Sequence, residues 1–196
     1  MYSPLNVALG GYAGAPDDRH VVTERLIGDT ASVEPTADDV THREAVRVIL
    51  IDPAERVLLI GGRDPDDQRI VWIMPGGGIE EGESVKDAGA RELFEETGIA
   101  LKASALLGPV WKRQHRFSWD GQLFDYREWF VVARLTAPAV VKPFASEEAR
   151  HLIGMRWVTV AELSDWPDLL APRRLSELLP PILAGELPSE PIETGV

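Results

Sequence analysis

The feature that most constrains the fold is a glycine-rich segment followed directly by a capped helix. A strand-like run over residues 70–74 ends at Pro75, and three consecutive glycines then favour backbone angles that other residues avoid. Ser84 supplies a capping-box-like helix start, and Gly98 supplies a stop. The pattern predicts a strand, a loop and a helix in immediate succession, with the helix near residues 84–97. Its mostly apolar face comprises Ala90, Leu93, Phe94 and Thr97.

Runs of apolar, β-branched and aromatic residues before and after this helix predict a mixed sheet. The predicted strands are residues 45–51, 56–60, 70–74, 104–118, 123–135 and 155–158, with hairpin turns at Asp52-Pro53 and Asp120-Gly121. A helical run covers residues 160–163. Six prolines lie near the end of the chain and leave room there for one short helix near residues 173–179. The prolines at 180 and 181 predict a break, after which the helix resumes at 182–184. Such an order of elements favours an α/β fold with helices on both faces of the sheet.

Composition and charge exclude several classes of protein. The chain has 196 residues, 20 Lys+Arg against 32 Asp+Glu, a net charge of −12 and no cysteine. The absence of cysteine excludes disulfides, thiolate metal sites and cysteine nucleophiles, and the negative charge disfavours a long nucleic acid duplex as partner. No apolar run approaches the roughly 18 residues of a membrane helix, and no basic residue precedes Arg19, so we expect a cytoplasmic protein that does not bind a membrane. A homodimer is compatible with the sequence.

The chain divides into three parts by composition. Residues 1–42 show no sustained periodicity and contain several glycines and prolines, which predicts a loosely packed N-terminal extension. Residues 43–172 contain the predicted sheet and its first two helices and form the main predicted domain. Residues 173–196 are predicted to be a C-terminal helix and tail.

Three carboxylates lie on one face of the predicted helix. Successive residues step by 100°, so Glu92, Glu95 and Glu96 fall within one 100° arc. Taken alone, such a cluster is typical of a solvated acidic face. A cation among the three would relieve their repulsion, and oxygen ligands without cysteine or suitably spaced histidine select a hard ion such as Mg²⁺ or Mn²⁺.

The spacing of these residues resembles the signature of the Nudix family, the Nudix box. Its pattern is Gly, five residues, Glu, seven residues, Arg-Glu-aliphatic, one residue, Glu-Glu, one residue, Gly-aliphatic. All nine fixed positions are matched, by Gly77, Glu83, Arg91, Glu92, Leu93, Glu95, Glu96, Gly98 and Ile99. The order of strands over about residues 43–165 is similar to the same family.

The resemblance implies a Nudix-like α/β/α sandwich with a mixed β-sheet, in which the loop and helix bind Mg²⁺ or Mn²⁺. Metal ligands would be Glu92, Glu95 and Glu96, with the carbonyl of Gly77 as a further ligand. Arg91 and Glu83 would tie the helix to the loop, since a guanidinium can form two parallel bonds to a carboxylate.

The resemblance also implies hydrolysis of a diphosphate bond in a small molecule, either a nucleoside diphosphate derivative or a nucleoside triphosphate. The alternative is a regulatory module that binds a nucleotide metabolite on the same fold without cleaving it. Such a module would be expected to lack box carboxylates, whereas this box is complete.

An aromatic and basic cluster over residues 111–119 is the candidate substrate-binding segment. Strand alternation places Arg113 and Arg116 on opposite faces, and either side chain could contact a phosphate. Glu128 on the next strand is a further candidate for substrate or metal. The alternatives are that the aromatic residues fill the core and that Glu128 pairs with one of the basic residues across the strands.

The general base has two sets of candidates. Some Nudix enzymes use a box glutamate, which here is Glu95 or Glu92. Others use a glutamate on a late loop, a location that Glu147 and Glu148 occupy in this chain. The alternative for Glu147 and Glu148 is a solvated acidic turn.

Overall fold

The computed structural model describes residues 40–65, 67–119, 122–141 and 151–195. The strands within them are β1 (Val40–Ile51), β2 (Val57–Arg63), β3 (Ile70–Ile73), β4 (Leu107–Trp119), β5 (Gln122–Arg134), β6 (Leu152–Val158), β7 (Leu169–Ala171) and β8 (Ile192–Glu193). The α-helices are α1 (Val85–Thr97), α2 (Val160–Ser164) and α3 (Leu175–Leu183). The predicted turn at Asp120-Gly121 lies outside the described residues.

The strands form one mixed sheet in the order β7-β3-β2-β1-β5-β4-β8, with β6 paired to β2. Strand β1 runs parallel to β5 along its whole length, from Val40 opposite Leu123 to Ile51 opposite Arg134. Strands β4 and β5 are antiparallel. The sheet is therefore held together largely by pairings between distant parts of the chain.

The predicted hairpin between the first two strands exists, but its ladder is short. Asp52 builds the turn, because its Oδ1 accepts the amides of Ala54 and Arg56, both at 2.9 Å. The one register pair between β1 and β2 is Ile51 with Val57. From Ile60 onward the same edge of β2 pairs with β3, whereas β6 pairs with the other edge of β2, so the adjacent edge of β1 is left for another segment of the chain.

Two apolar layers lie on opposite faces of the sheet. Alternate residues of β1 supply both, because Ile49 and Ile51 pack on the side of α2 and α3 whereas Val48 and Leu50 pack on the side of α1. The predicted α/β sandwich with a mixed sheet is confirmed. The box helix therefore rests on the buried second half of β1, residues 45–51, in which every residue but Arg47 is fully buried.

Helix α1 begins and ends where its capping residues predict. The Ser84 hydroxyl accepts the amide of Asp87 at 3.2 Å, and Gly98 adopts the left-handed conformation with φ 73°. The predicted apolar face is only partly buried, since Phe94 is 47% exposed and Ala90 is half-buried. The side that contacts the sheet is one residue further round the helix and comprises Ala88, Gly89, Leu93 and Thr97.

The predicted break in the last helix is also wrong, since α3 runs without interruption through Pro180 and Pro181. The carbonyls of these prolines accept the amides of Ala184 at 3.0 Å and Glu186 at 2.9 Å. Burial of one apolar side stabilises this continuous helix against the loss of two amide donors. The buried residues of α3 are Leu175, Leu179 and Ile182.

Residues assigned to the C-terminal tail pack with the strands of the central region. The three buried residues of α3 lie in the same core as residues of β1, β2 and β5, and β8 pairs with β4 next to Trp111. Residues 1–39 of the predicted extension lie outside the described residues, while Val40 already belongs to β1. Within the described ranges, no helix is both long and apolar enough to cross a bilayer.

Candidate active site

The glycine-rich loop lies against the free edge of β1. Val48 donates its amide to the carbonyl of Pro75 at 2.7 Å, and Val46 donates to Gly77 at 2.9 Å. Further along, the amide of Ile79 donates to the carbonyl of Glu44 at 3.0 Å. The loop is thereby fixed to a central strand of the sheet over its whole length.

Two of the three glycines have no room for a side chain. A Cβ on Gly76 would lie 2.0 Å from the carbonyl oxygen of Val46, and its φ of 143° already excludes most other residues. A Cβ on Gly77 would lie 2.6 Å from the carboxylate carbon of Glu92. Gly78 has no atom within 4 Å of that position. Close approach of the loop to both β1 and α1 therefore depends on Gly76 and Gly77.

Arg91 joins the helix to the loop. Its Nε and Nη2 donate to the two oxygens of Glu83 at 3.0 and 2.9 Å, and Nη2 also donates to the carbonyl of Gly78 at 2.8 Å. Its Nη1 donates to Glu92 at 2.8 Å and to Glu95 at 3.2 Å. The hydrogen bonds from Arg91 hold the pKa of Glu83 below its ordinary value. One guanidinium thus neutralises part of the acidic cluster and orients three carboxylates.

The three predicted metal-binding carboxylates differ in exposure and in partner. Glu92 is 15% exposed, and burial raises the pKa of Glu92 above its ordinary range despite the neighbouring charge of Arg91. Glu95 is 55% exposed, with Arg91 as its partner. Glu96 accepts the amide of Gly76 at 2.7 Å. All three lie along one side of α1 beside the loop, as the spacing predicts.

The donor set fits a hard divalent cation. The available groups are carboxylate and carbonyl oxygens, which Mg²⁺ and Mn²⁺ prefer. The missing side chain at Gly77 lets the Glu92 carboxylate come up to the loop backbone, where the Gly77 carbonyl already accepts the Val46 amide. Over the part of the chain that the structure describes, no three acidic or histidine side chains converge closely enough to form a complete metal site. To bind a cation, these carboxylates would have to give up some of their hydrogen bonds from Arg91 and from the Gly76 amide.

A second buried cluster of charges lies on the opposite face of the sheet from α1. Glu128 of β5 stands opposite Arg113 of β4, and Arg113 donates to it through both Nε, at 2.7 Å, and Nη2. Arg47 of β1 donates to the other oxygen of Glu128 at 2.8 Å. Burial by itself would raise the pKa of Glu128, but the two arginines outweigh it and hold that pKa well below its ordinary range. Glu128 is a buried carboxylate shared by two cations.

The three predicted substrate-binding residues do not form one site, because Arg113 and Glu128 pair in the interior and Arg116 lies apart from them. Arg113 is 4% exposed and pairs with Glu128 across the strands, which was the alternative role for Glu128. Arg116 lies on the other face of β4, 67% exposed, and donates to Asp125 at 3.1 Å. Of the three predicted residues, Arg116 is the one with an exposed side chain. The candidate bases Glu147 and Glu148 lie outside the described residues.

Arg47 is a site residue that the sequence analysis missed, whereas His115 belongs to the predicted segment 111–119 and lies with its Nδ1 3.8 Å from Glu128. Arg47 also donates from Nη1 to the carbonyl of Gly76 at 2.6 Å, so it connects the buried cluster to the loop. Burial, together with the charge of Arg113, lowers the pKa of His115 to about 4. The available signal for Arg47 was a single charge within the apolar run of residues 45–51, a place where a charge normally needs a partner.

Comparison with known proteins agrees with this geometry. Residues 41–179 match the NUDIX domain family. An RNA pyrophosphohydrolase of Novosphingobium aromaticivorans is 29% identical over 140 residues, which cover 67% of this chain and 84% of that protein. An RNA pyrophosphohydrolase of Rhodopseudomonas palustris is 30% identical over 148 residues, which cover 69% of this chain and 82% of that protein. The crystal structure of a C. elegans Ap4A hydrolase binary complex has the same fold, with a TM-score of 0.51 and 18% identity over 73% of this chain and 98% of that one.

The family match covers most of the chain and includes the complete box, the helices α1 and α2, the first half of α3, and strands β1 to β7 except for Val40 at the start of β1. Its curated relatives are hydrolases by name, and their matched regions cover most of their own length. The chain belongs to the Nudix family and is a pyrophosphohydrolase, an enzyme that cleaves a phosphoanhydride bond.

Proposed function

We propose that the protein is a divalent-metal-dependent hydrolase of a nucleoside triphosphate or a nucleoside diphosphate derivative. The observation that carries the proposal is a cluster of three carboxylates beside the glycine loop, in which Arg91 holds Glu92 and Glu95 and the loop amide of Gly76 holds Glu96. Carboxylates cannot approach an anionic diphosphate without a cation between them. An acidic cluster at the Nudix box that is only partly neutralised by Arg91 therefore favours a metal-binding role.

Mg²⁺ or Mn²⁺ would be held by Glu92, Glu95 and Glu96, with the Gly77 carbonyl as a further ligand. When bound, such an ion neutralises phosphate oxygens and lowers the pKa of an attacking water. Arg91 would keep the carboxylates aligned, because its fork also holds Glu83 and the Gly78 carbonyl. Exposure of Glu95 leaves it the freest of the three to act on the water as a base.

The substrate group we favour is a 5′-triphosphate, either free or at the end of an RNA chain. Support for the RNA end comes from the names of the relatives in Novosphingobium aromaticivorans and Rhodopseudomonas palustris. A net charge of −12 disfavours contacts along a long duplex, and a single 5′ end requires few phosphate contacts. Arg116, exposed on β4, is the proposed side chain for a phosphate of the substrate.

A substrate panel tests this function. Purified protein with Mg²⁺ is assayed for phosphate or diphosphate release from a 5′-triphosphorylated oligoribonucleotide, a nucleoside triphosphate, a dinucleoside tetraphosphate and a nucleotide sugar. We expect turnover of at least one triphosphate substrate, its loss with a chelator, and its recovery with added Mg²⁺ or Mn²⁺. Turnover that persists without metal would contradict the mechanism, and tight binding without turnover of any probe would favour the regulatory module.

A further inference from the structure

Arg47 is a charged residue in a strand that is otherwise apolar over residues 45–51. Its side chain is 14% exposed, and its guanidinium makes two hydrogen bonds in different directions. Nε donates to Glu128 at 2.8 Å, and Nη1 donates to the carbonyl of Gly76 at 2.6 Å. One side chain therefore connects a buried carboxylate of β5 to the first glycine of the box loop.

Gly76 is held from the other face of the sheet by the box itself. Its amide donates to Glu96 at 2.7 Å, so the two peptide groups that flank its Cα are bound by side chains from opposite faces. The loop also passes close to β1 here, since a Cβ on Gly76 would lie 2.0 Å from the carbonyl oxygen of Val46. Any displacement of the Gly76 carbonyl would therefore also displace the amide to which Glu96 is bonded.

Glu128 in turn fixes Arg47. Its side chain is 1% exposed, and each of its oxygens has its own arginine, Oε1 with Arg47 and Oε2 with Arg113. A carboxylate so bound has no freedom to rotate, and it presents one fixed acceptor to Arg47. Arg47 is thereby a rigid connection between the buried cluster and the loop.

We propose that Arg47 is a positioning residue for hydrolysis, which holds the Gly76 peptides and through them the Glu96 carboxylate in the geometry that the reaction needs. This inference rests on the proposed function, because the reaction takes place at the box carboxylates. Arg47 contacts the loop and does not itself contact a reacting group. Lysine cannot replace it, since one ammonium group cannot reproduce the two directed donors of the guanidinium.

The test compares Arg47→Met and Arg47→Lys with Arg134→Met in the full chain. Arg134 is the matched control, since it also donates to backbone carbonyls, those of Ile182 at 2.9 Å and Leu183 at 2.5 Å, but at the end of α3. Arg47→Lys keeps the charge and serves as the informative variant if Arg47→Met does not fold. Unfolding is followed by thermal melts, and all assays are run well below the lowest melting temperature.

The first measurement is hydrogen exchange of residues 76–79 without metal. Both Arg47 variants lose the charged hydrogen bond to the Gly76 carbonyl, so the amides of these residues should exchange at least about tenfold faster. In Arg134→Met their exchange rates should be unchanged. The second is Mn²⁺ binding by electron paramagnetic resonance, where both Arg47 variants should bind about tenfold more weakly. The third is turnover of a 5′-triphosphorylated oligoribonucleotide, where kcat should fall about 10- to 100-fold while KM changes less than about threefold.

Exchange at wild-type rates in both Arg47 variants would overturn the proposal. Faster exchange with unchanged kcat would overturn it as well, because the position of the loop would then not matter to the reaction. An equal loss of kcat in Arg134→Met would assign the effect to stability instead of position. If the wild-type protein turns over no probe, the proposed function fails, and exchange together with Mn²⁺ binding still decides whether Arg47 positions the loop.

Discussion

A side-chain carbon on Gly77 would lie 2.6 Å from the carboxylate carbon of Glu92, whereas the same atom on Gly78 would meet nothing within 4 Å. Two adjacent glycines of one loop therefore have different roles. Gly77 allows the helix carboxylate to contact the loop backbone, and the loop runs open to solvent at Gly78. A side chain at Gly77, the first fixed position of the box, would therefore displace the Glu92 carboxylate from its place beside the loop.

Gly77→Ala should lower kcat about 100-fold, because the methyl group pushes Glu92 away from the loop and a misplacement near 1 Å has an effect of that size. Gly78→Ala is the matched control and should retain wild-type turnover. Steady-state kinetics under saturating Mg²⁺ and substrate compares the two. Equal activity of the two variants would show that Glu92 has other room to move.

Glu96→Gln and Glu95→Gln should lower kcat far more than they lower stability. A glutamine carbonyl at position 96 can still accept the Gly76 amide, and loss of one charge relieves repulsion within the cluster. We expect kcat to fall at least about 100-fold, because loss of a ligand should cost at least as much as loss of a residue that only supports a ligand. The free energy of unfolding should change by less than about 1 kcal/mol.

Urea denaturation and kinetics of the same preparations check this prediction. Glu177→Gln, which alters an exposed glutamate of α3 paired with Arg174, is the control and should leave turnover unchanged. Collapse of the fold in both box variants would contradict a role confined to the site.

His115 should make the folded state sensitive to mild acid. Its folded pKa of about 4 results from burial and the charge of Arg113, against the attraction of Glu128 and Asp125. The unfolded state has a pKa near 6.5 and so binds more protons between these values, which means that stability falls as pH decreases through this window. His115→Phe, which retains stacking on Phe117, removes this contribution.

Chemical denaturation at pH 8 and pH 5.5 measures the effect. Wild-type protein should lose about 1 kcal/mol more than His115→Phe over this range. Glu128, whose pKa is held low, stays ionised between pH 8 and pH 5.5, so it does not contribute to the loss of stability of either protein. Parallel pH dependence of the two proteins would mean that His115 is accessible to protons in the folded state.

Glu147→Gln and Glu148→Gln test the late-loop base. If one of them takes the proton of the attacking water, its variant should lose about 10²- to 10⁴-fold in kcat with little change in metal affinity, and the acidic limb of the pH–rate profile should change. Near-wild-type turnover of both variants would move the role to Glu95 or Glu92. Kinetics across pH with saturating substrate and Mg²⁺ distinguishes these outcomes.

The parts of the fold that the sequence predicts are those with local causes. Helix α1 starts after Ser84 and ends at Gly98 because both caps act on the nearest turn of the chain. The alternating strands and the spacing of the box are likewise visible in short windows. Arg91 meets Glu83 because the loop and helix between them are short and regular.

Tertiary structure decides whatever depends on segments distant in the chain. The two prolines within the last helix predict a break in it. Burial of Leu175, Leu179 and Ile182 in the same core as β1, β2 and β5 nevertheless keeps the helix continuous. Strands β7 and β8 form only because β3 and β4 offer them an edge. The role of Arg47 is of the same kind, since its two partners, Gly76 and Glu128, lie 29 and 81 residues away along the chain. The sequence alone determined the chemistry of the box, and the packing of β1 between the loop and β5 decided which residues hold it in place.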